Sequence, residues 1–186
     1  MPTPPRTSTA TIVAAARHIL ETQGLDALTM HAVARAVGVR GPSLYKRVRD
    51  RSELIRLIAN DVFRELGARL DTMVQGQTPR EDVRAMACEY RAFAHANPRA
   101  YALLFSPVPE EWRVDLELTQ RVSALLLRSV AQLAGERAAL PAARTVVAWV
   151  HGFVSMELAG AFRLGGDVEV AFEYALERVT AAIERE

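Results

Sequence analysis

The chain is 186 residues long, 50% of its residues are apolar, and its formal net charge is +1. This length suits one ordinary domain or two small helical domains that share a core, and the apolar content excludes a disordered chain and a fibrous repeat. The single cysteine, Cys88, excludes an internal disulfide and a CxxC metal site.

Hydropathy along the chain argues against a membrane protein. No apolar run reaches the roughly 18 to 20 residues that cross a bilayer. Residues 1–6 also lack the apolar segment of a secretory signal. We therefore expect a soluble, cytoplasmic protein with no membrane partner.

The small net charge hides an asymmetry between the two parts of the chain. Residues 1–66 carry ten basic and six acidic side chains, whereas residues 67–186 carry 13 basic and 16 acidic ones. A basic segment favours a polyanionic partner such as nucleic acid, and the acidic remainder does not.

Helix caps and helix-breaking residues divide the first third of the chain into three short helices. Gly24 ends the first helix, Thr29 is a good N-cap for the second, and Pro42 suits the first turn of the third. The predicted segments are a mobile arm over residues 1–9, and helices over 10–23, from Thr29 to Gly38, and from Gly41 onward.

The rest of the chain is also predicted to be helical. Asp50 and Glu53 form a capping box that starts a helix running to about Met73, and Thr78 with Glu81 marks the next start. No segment alternates with the period of two that a strand requires. The remaining helices are predicted over residues 78–97, 101–105, 109–135, 141–164 and 168–184. The expected fold class is all-α, with about nine helices and no sheet.

The third helix has an apolar side and a polar side. Leu44 and Val48 point the same way and can pack against the first two helices. Two helices joined by a short glycine-containing turn, the second exposing hydroxyl and cationic groups, are typical of a helix-turn-helix that reads the major groove. The candidate contacts are Arg40, Ser43 and Lys46 to base edges, and Tyr45, Arg47 and Arg51 to phosphates. For each of them alone, the alternative is an ordinary solvated side chain.

These motifs resemble the N-terminal domain of TetR-type transcriptional regulators. The matching residues are Thr11, Ala14-Ala15, Gly24, Leu28-Thr29-Met30, Val33-Ala34, Ala36-Val37-Gly38-Val39, Ser43-Leu44-Tyr45 and Asp50-Arg51-Ser52-Glu53-Leu54. Arg51 stands where relatives usually have a lysine that binds a phosphate. The resemblance implies that Thr29 contacts a phosphate, and that the DNA-facing positions are His31, Gly41, Pro42, Ser43, Tyr45, Lys46, Arg47 and Arg51.

A second resemblance covers the C-terminal part of the chain. Tyr90 with Phe93, the segment 97–105, and Trp149 with His151 and Gly152 look like the WHG-type ligand-binding domain of a subset of TetR-type proteins. This resemblance implies a helical domain that binds an effector and dimerises. The candidate effector contacts are Tyr90, Phe93, Tyr101, Phe105, Arg121, Trp149, His151, Phe153 and Glu157. The alternative for the aromatic members is core packing, because cores and pockets use the same residues.

The last two helices carry more apolar surface than a small domain needs. On the first, small residues form a stripe that would allow another helix to approach closely. Pairing both helices with their symmetry mates would make a four-helix, isologous interface. The predicted interface residues are Ala148, Gly152, Met156, Ala159, Arg163, Phe172, Leu176 and Val179. The alternative is that the stripe serves close packing within one subunit.

Catalytic and metal-binding patterns are missing from the sequence. Cys88 and His95 lie about 10 Å apart along one helix, too far for a nucleophile and its base. The four histidines show neither HxxxH nor HExxH spacing. We therefore expect no enzyme activity and no cofactor.

These observations predict an arm over residues 1–9, a helix-turn-helix DNA-binding domain over 10–56, a linking helix over 57–73 and an effector-binding and dimerisation domain over 74–186. The predicted function is that of a homodimeric regulator, a repressor, that binds a palindromic double-stranded operator and is released by a small, largely apolar effector. The alternative is a small-molecule binding or carrier protein without an operator.

Overall fold

The computed structural model describes residues 8–75 and 78–184, and within these ranges the chain forms nine α-helices and no β-strand. The all-α prediction is therefore confirmed. The helices are α1 (Thr9–Gln23), α2 (Met30–Ala36), α3 (Gly41–Tyr45), α4 (Arg51–Thr72), α5 (Pro79–Ala96), α6 (Pro98–Phe105), α7 (Leu116–Ala134), α8 (Ala139–Leu158) and α9 (Val168–Ile183).

The first compact unit comprises residues 8–64 and 97–118. Its helices begin at caps read from the sequence: Thr29 Oγ1 accepts a hydrogen bond from the Ala32 amide at the start of α2. Before α4, the Glu53 amide donates to Asp50 and the Arg49 amide donates to Glu53, which is the predicted capping box. Side chains with at most 1% exposure fill the core, among them Ile12, Ala16, Leu28, Val33, Leu44, Val48 and Leu54.

Helix α6 belongs to this first unit, although the sequence placed residues 97–118 in the C-terminal domain. The Glu21 carboxylate on α1 accepts hydrogen bonds from the Arg99 and Ala100 amides at the start of α6. Arg17 donates to the Asn97 side chain at 2.7 Å. The predicted boundary differs because these contacts join segments about 80 residues apart, which local patterns do not encode.

The second compact unit comprises residues 65–75, 78–96 and 119–184. The Thr78 and Glu81 capping box starts α5 as predicted, and Asp167 caps α9 by accepting from the Glu169 amide. The core joins α5, α7 and α8 with the inner side of α9. Its buried members include Val83, Val130, Leu133, Ala142, Ala143 and Val146, and Val179 and Ile183 pack against them.

Several predicted helix boundaries are wrong, and α6 begins at Pro98 rather than at Tyr101. Thr9 lies in α1 with Ser8 as its N-cap, so the arm is shorter than 1–9, and residues 1–7 lie outside the described part of the chain. Helix α7 begins at Leu116 rather than near 109, because Glu110–Trp112 forms only a 3₁₀ turn and the backbone is extended at Arg113. Helix α8 ends at Leu158 before Gly160, whose φ is +62°.

The length and the apolarity of the helices bear on membrane insertion. Within the described residues, no helix combines the length and the apolarity needed to cross a bilayer.

Candidate functional site

Helices α2 and α3 are joined by a turn that fixes the start of α3. Gly38 has a φ of +69°, a conformation that favours glycine. The Val39 amide donates back to the Ala34 carbonyl at 2.9 Å. Arg40 is the N-cap position of α3 and Pro42 lies in its first turn. This is the helix-turn-helix geometry that the sequence predicts.

The side chains of α3 and of the turn that follows it, residues 41–48, divide into buried and exposed sets. Leu44 and Val48 have 0% exposure and attach α3 to the core. Tyr45 is 54% exposed although it is aromatic. The exposed members of the predicted DNA-facing set are Thr29, His31, Arg40, Pro42, Ser43, Tyr45, Lys46 and Arg47, and Gly41 is half-buried.

Three cations on this surface are uncompensated. Among the described residues, no carboxylate forms an ion pair with Arg40, Lys46 or Arg47. Arg49, in contrast, pairs with Asp50 at 2.8 Å, and this hydrogen bond lowers the pKa of the Asp50 carboxyl. We call the exposed set on residues 40–47 the reading face.

Arg51 has a structural role that the sequence did not predict. Its Nε donates to the Leu28 carbonyl at 2.8 Å and its Nη2 to the Leu25 carbonyl at 2.7 Å. Its guanidinium carbon lies 5.5 Å from the centre of the Trp112 ring. These contacts hold the half-buried side chain inside the first unit. Arg51 therefore fixes the loop between α1 and α2, and its assignment as a phosphate contact stays a prediction.

The predicted effector contacts are distributed over both units. Tyr101 and Phe105 lie on α6 in the first unit, where their ring centres are 4.9 Å apart and Tyr101 is buried. The other candidates lie in the second unit. Of these, Tyr90 and Phe93 are buried, Trp149, His151, Phe153 and Glu157 are half-buried, and Arg121 is exposed on α7.

Four aromatic rings form a cluster in the second unit. The Trp149 ring stacks on Phe172 with centres 5.3 Å apart, and Phe153 meets Phe172 edge to face at 5.2 Å. Phe162 lies 4.9 Å from Phe153. Such arrangements combine a large apolar surface with specific geometry.

An ion pair with little solvent access adjoins this cluster. Arg91 donates from Nε and Nη2 to the two oxygens of Glu157, at 2.9 and 2.6 Å, and its guanidinium carbon lies 4.5 Å from the centre of the Phe172 ring. The hydrogen bond from Arg91 lowers the pKa of the Glu157 carboxyl and raises that of Arg91. His95 Nε2 also lies 2.9 Å from Glu157.

Sequence reasoning missed Arg91. The signal was Glu157 on a mostly apolar helix, since a carboxylate buried on such a helix needs a cationic partner. In the structure its side chain is 14% exposed. The spacing along the chain did not say which of the many arginines supplies it.

His151 lies on the same helix as Glu157. It is half-buried, and its Nε2 lies 3.5 Å from Ser155 Oγ. Burial lowers the pKa of its imidazole.

The predicted dimer residues divide into two groups. On α8, Ala148, Met156 and Ala159 are exposed, and a Cβ at Gly152 would have no atom within 4 Å. On α9, Phe172 and Leu176 are buried at 1% and 0%, and Val179 packs against the core. The assignment of these three α9 residues to an interface is wrong, because they face the inside of their own unit.

Arg163 lies beyond the end of α8, outside the helix that was predicted to carry it, and donates to the Gly160 carbonyl at 3.2 Å. Its place in an interface stays a prediction. The outward face of α9 carries instead Val170 and Tyr174, each 64% exposed. Their spacing of four residues was the available sign of a second apolar face on this helix.

Comparison with known proteins agrees with this geometry. Residues 12–58 match the family described as bacterial regulatory proteins, tetR family, and residues 83–179 match the tetracyclin repressor-like C-terminal domain. The chain is 31% identical over 187 residues to an HTH-type transcriptional regulator of Mycobacterium tuberculosis, covering 98% of this chain and 84% of that protein.

Two solved structures are similar over nearly their whole length. One is a protein from Rhodococcus sp. RHA1, with a TM-score of 0.79, 25% identity and 95% of both chains covered. Another is a single-residue variant of TetR from Acinetobacter baumannii AYE in complex with minocycline, with a TM-score of 0.68, 21% identity, and 93% of this chain and 94% of that one covered.

The sequence matches and the helix-turn-helix lead to the same conclusion. The matched families consist of DNA-binding transcriptional regulators, so the expectation that the chain is not an enzyme is confirmed. The chain belongs to the TetR family of bacterial transcriptional regulators.

Proposed function

We propose that this regulator is a dimeric repressor that works in the cytoplasm, binds a palindromic operator and is released by a small, largely apolar effector. The observation that carries the proposal is the reading face. Arg40, Lys46 and Arg47 are exposed without a carboxylate partner among the described residues, next to a tyrosine that is 54% exposed. Exposed cations that have no carboxylate partner among the described residues, together with neighbouring polar side chains, can bind the phosphates that line a groove of DNA.

The residues of the reading face have separate roles in this proposal. Ser43 and Lys46 can donate to base edges in the major groove. Tyr45 and Arg47 flank them and are suited to phosphates, which fix the register without reading the sequence. Thr29 Oγ1 accepts the hydrogen bond that caps α2, and its O–H can still donate to a phosphate.

Dimerisation is proposed to use the outward faces of α8 and α9. Met156 is 48% exposed, and Val170 and Tyr174 are each 64% exposed, which is unusual for large apolar side chains. Two copies paired along these faces would bury them in a four-helix interface. A dimer would also hold two reading faces at the spacing of about 34 to 36 Å that successive major grooves require.

The effector is proposed to bind in the second unit, at the aromatic cluster beside Arg91 and Glu157. Trp149 and Phe153 are half-buried there rather than sealed in the core. The structural relative from Acinetobacter baumannii was solved with minocycline, a molecule with fused rings and polar substituents. An effector releases the operator only if it binds the DNA-bound and free conformations with different affinity.

Selection of duplexes from a random library by the wild-type protein tests the operator. We expect an inverted repeat, because a two-fold symmetric dimer reads both half-sites alike. Lys46→Ala should relax the base preference at the position that it contacts, whereas Arg137→Ala, which removes an exposed cation from the second unit, should leave the selected sequence unchanged. If the wild-type protein enriches no sequence but still binds a small molecule, the result supports the carrier alternative instead.

Sedimentation at micromolar concentration tests the dimer. In the protomer, a side chain at Gly152 has open space, so Gly152→Leu should keep the fold and dissociate the dimer. Gln132→Leu places the same side chain at an exposed site on α7 and should remain dimeric. A wild-type monomer, or a dimeric Gly152→Leu protein, would remove α8 from the proposed interface.

Thermal melting and operator binding, measured together, test the effector. A ligand of the proposed site should raise the melting temperature and weaken operator binding, since both follow from one linkage. A ligand that stabilises the fold and leaves operator binding unchanged would contradict release by an effector.

A further inference from the structure

The connection between α6 and α7, residues 106–115, is well placed to influence the helix-turn-helix. It lies entirely within the first unit. Its backbone is extended at Ser106 and Arg113, on either side of the 3₁₀ turn Glu110–Trp112. We refer to residues 106–115 as the α6–α7 connection.

The C-terminal end of this connection is fixed to the middle of α4. The Asp115 amide donates to Asn60 Oδ1 at 2.9 Å, and Asn60 Nδ2 donates to Asp115 Oδ2 at 2.7 Å. Arg56, one turn earlier on α4, lies 3.3 Å from the same carboxylate. Asn60 is only 6% exposed, and a buried amide without partners is costly. The connection is therefore held in one position along α4.

Trp112 attaches the same connection to the first turn of α4. Its indole Nε1 donates to Ser52 Oγ at 3.0 Å. The face of its ring lies 5.5 Å from the guanidinium carbon of Arg51, within the range of a cation–π interaction. The half-buried ring thus covers one face of a cation that is itself half-buried.

Arg51 in turn holds the loop that precedes the helix-turn-helix. Its two donors reach the Leu25 and Leu28 carbonyls, which lie directly before Thr29, the N-cap of α2. Because the guanidinium is a rigid planar fork, fixing its plane fixes both carbonyls at once. The order of contacts is therefore Trp112 to Arg51, Arg51 to the loop 25–28, and the loop to the start of α2.

We propose that Trp112 is a positioning residue for DNA reading. Its ring keeps the Arg51 guanidinium in the one orientation that holds the loop 25–28, and so sets the start of α2, against which α3 packs. Trp112 lies outside the reading face and carries no charge. Its effect on DNA binding is exerted through Arg51 and not through the duplex.

Amide hydrogen exchange tests the first part of this inference without DNA. Trp112→Leu keeps apolar bulk but removes the ring face and the indole donor, and amides of residues 25–33 should then exchange about tenfold faster. Trp112→Phe keeps a ring face over Arg51 and should restore most of the protection. Leu116→Ala, at a neighbouring side chain that is 70% exposed, is the matched control. Unchanged exchange in Trp112→Leu would overturn the proposal.

Operator affinity as a function of salt tests the second part, which rests on the proposed operator function. Trp112→Leu should weaken binding about tenfold with an unchanged salt dependence, because no phosphate contact is lost. Arg51→Met should weaken binding by a similar factor, and the double variant should be no weaker than the weaker single variant. If the two losses of affinity multiply in the double variant, the proposal is overturned. A reduced salt slope in Trp112→Leu would also overturn it.

The two readouts separate this inference from the proposed function. If selection yields no operator, the proposed function fails, and the exchange of residues 25–33 still decides the role of Trp112. If an operator is found and Trp112→Leu binds it as the wild type does, the inference fails and the proposed function stands.

Discussion

The reading face of the first unit and helix α5 of the second unit use cationic side chains in opposite ways. In the second unit, Arg80 and Arg84 on α5 pair with Glu177, and Arg91 pairs with Glu157 and Glu169. On the reading face, Arg40, Lys46 and Arg47 have no carboxylate partner among the described residues.

The difference shows which charges serve the fold and which are available to a partner. A paired arginine joins two helices of its own unit, and its charge is largely neutralised at short range. An exposed cation without a partner contributes little to folding, but it can neutralise a phosphate. Net charge alone, at +1 for the chain, would conceal this division.

Arg51 lies next to the reading face but uses its cation inside the first unit. It was expected to act on DNA like its neighbours, yet its donors go to two backbone carbonyls. The role of a cation next to the reading face therefore has to be judged from its contacts and not only from its position in the motif.

The largest expected effect is on the core of the second unit. Phe172→Ala removes a ring that is 1% exposed and touches Trp149, Phe153 and Arg91. We expect the free energy of unfolding, measured by urea denaturation at fixed protein concentration, to fall by about 3 to 5 kcal/mol. Tyr174→Ala, on the opposite side of α9, should chiefly weaken dimerisation. Equal losses of stability at low protein concentration, where the dimer has dissociated, would contradict the corrected assignment of the two faces.

The next effect concerns the paired charges. Glu157→Gln leaves Arg91 with only the more exposed Glu169, so we expect a loss of about 2 kcal/mol of stability. Glu177→Gln removes a carboxylate that is 55% exposed, and it should cost under about 0.5 kcal/mol. Similar losses of stability in the two variants would show that burial does not determine how much each of these ion pairs contributes.

The Glu157 pair also has a defined pH dependence. Its carboxyl pKa is lowered in the folded chain from an ordinary value of 4.5, so its contribution is complete above pH 4.5. That contribution is lost as the pH falls through the lowered folded value. The stability difference between wild type and Glu157→Gln should therefore shrink as the pH falls below 4.5 and disappear on further acidification. A stability difference that grows below pH 4.5 would contradict this prediction.

Removal of an unpaired cation from the reading face should have a smaller effect, and this effect should be on DNA binding only. Lys46→Ala should weaken binding to the selected operator by about 1 to 3 kcal/mol and relax base preference. Arg47→Ala should weaken all duplexes alike and reduce the salt slope by about 1. Neither variant should change the melting temperature. The division of roles is refuted if both variants lose base preference equally.

The smallest expected effect is the change in stability that accompanies protonation of His151. Burial lowers its folded pKa below the ordinary 6.5, so the unfolded chain binds the proton more readily. Stability should therefore fall slightly as the pH drops through 6.5, and His151→Gln should remove this dependence. Urea denaturation at pH 7.5 and 5.5 measures it. An identical pH response in the variant would exclude His151 as its source.

Local sequence patterns were sufficient to predict the helices and the reading face. The capping boxes at Asp50 and Thr78 and the glycine in the turn at Gly38 all lie where the structure has them. Leu44 and Val48 are buried, and their burial places Ser43 and Lys46 outside. These features depend on neighbours within a few residues along the chain, so periodicity and capping chemistry determine them.

Only the tertiary structure decided the partners of residues far apart in the sequence. Arg51 meets carbonyls 23 and 26 residues away, Glu21 meets the start of α6, and Arg91 meets Glu157 66 residues away. It also decided which of two apolar faces of α9 is core, turning Phe172 inward and Tyr174 outward. A helical period shows that a helix has two faces, but which face is buried depends on the helices that pack against it.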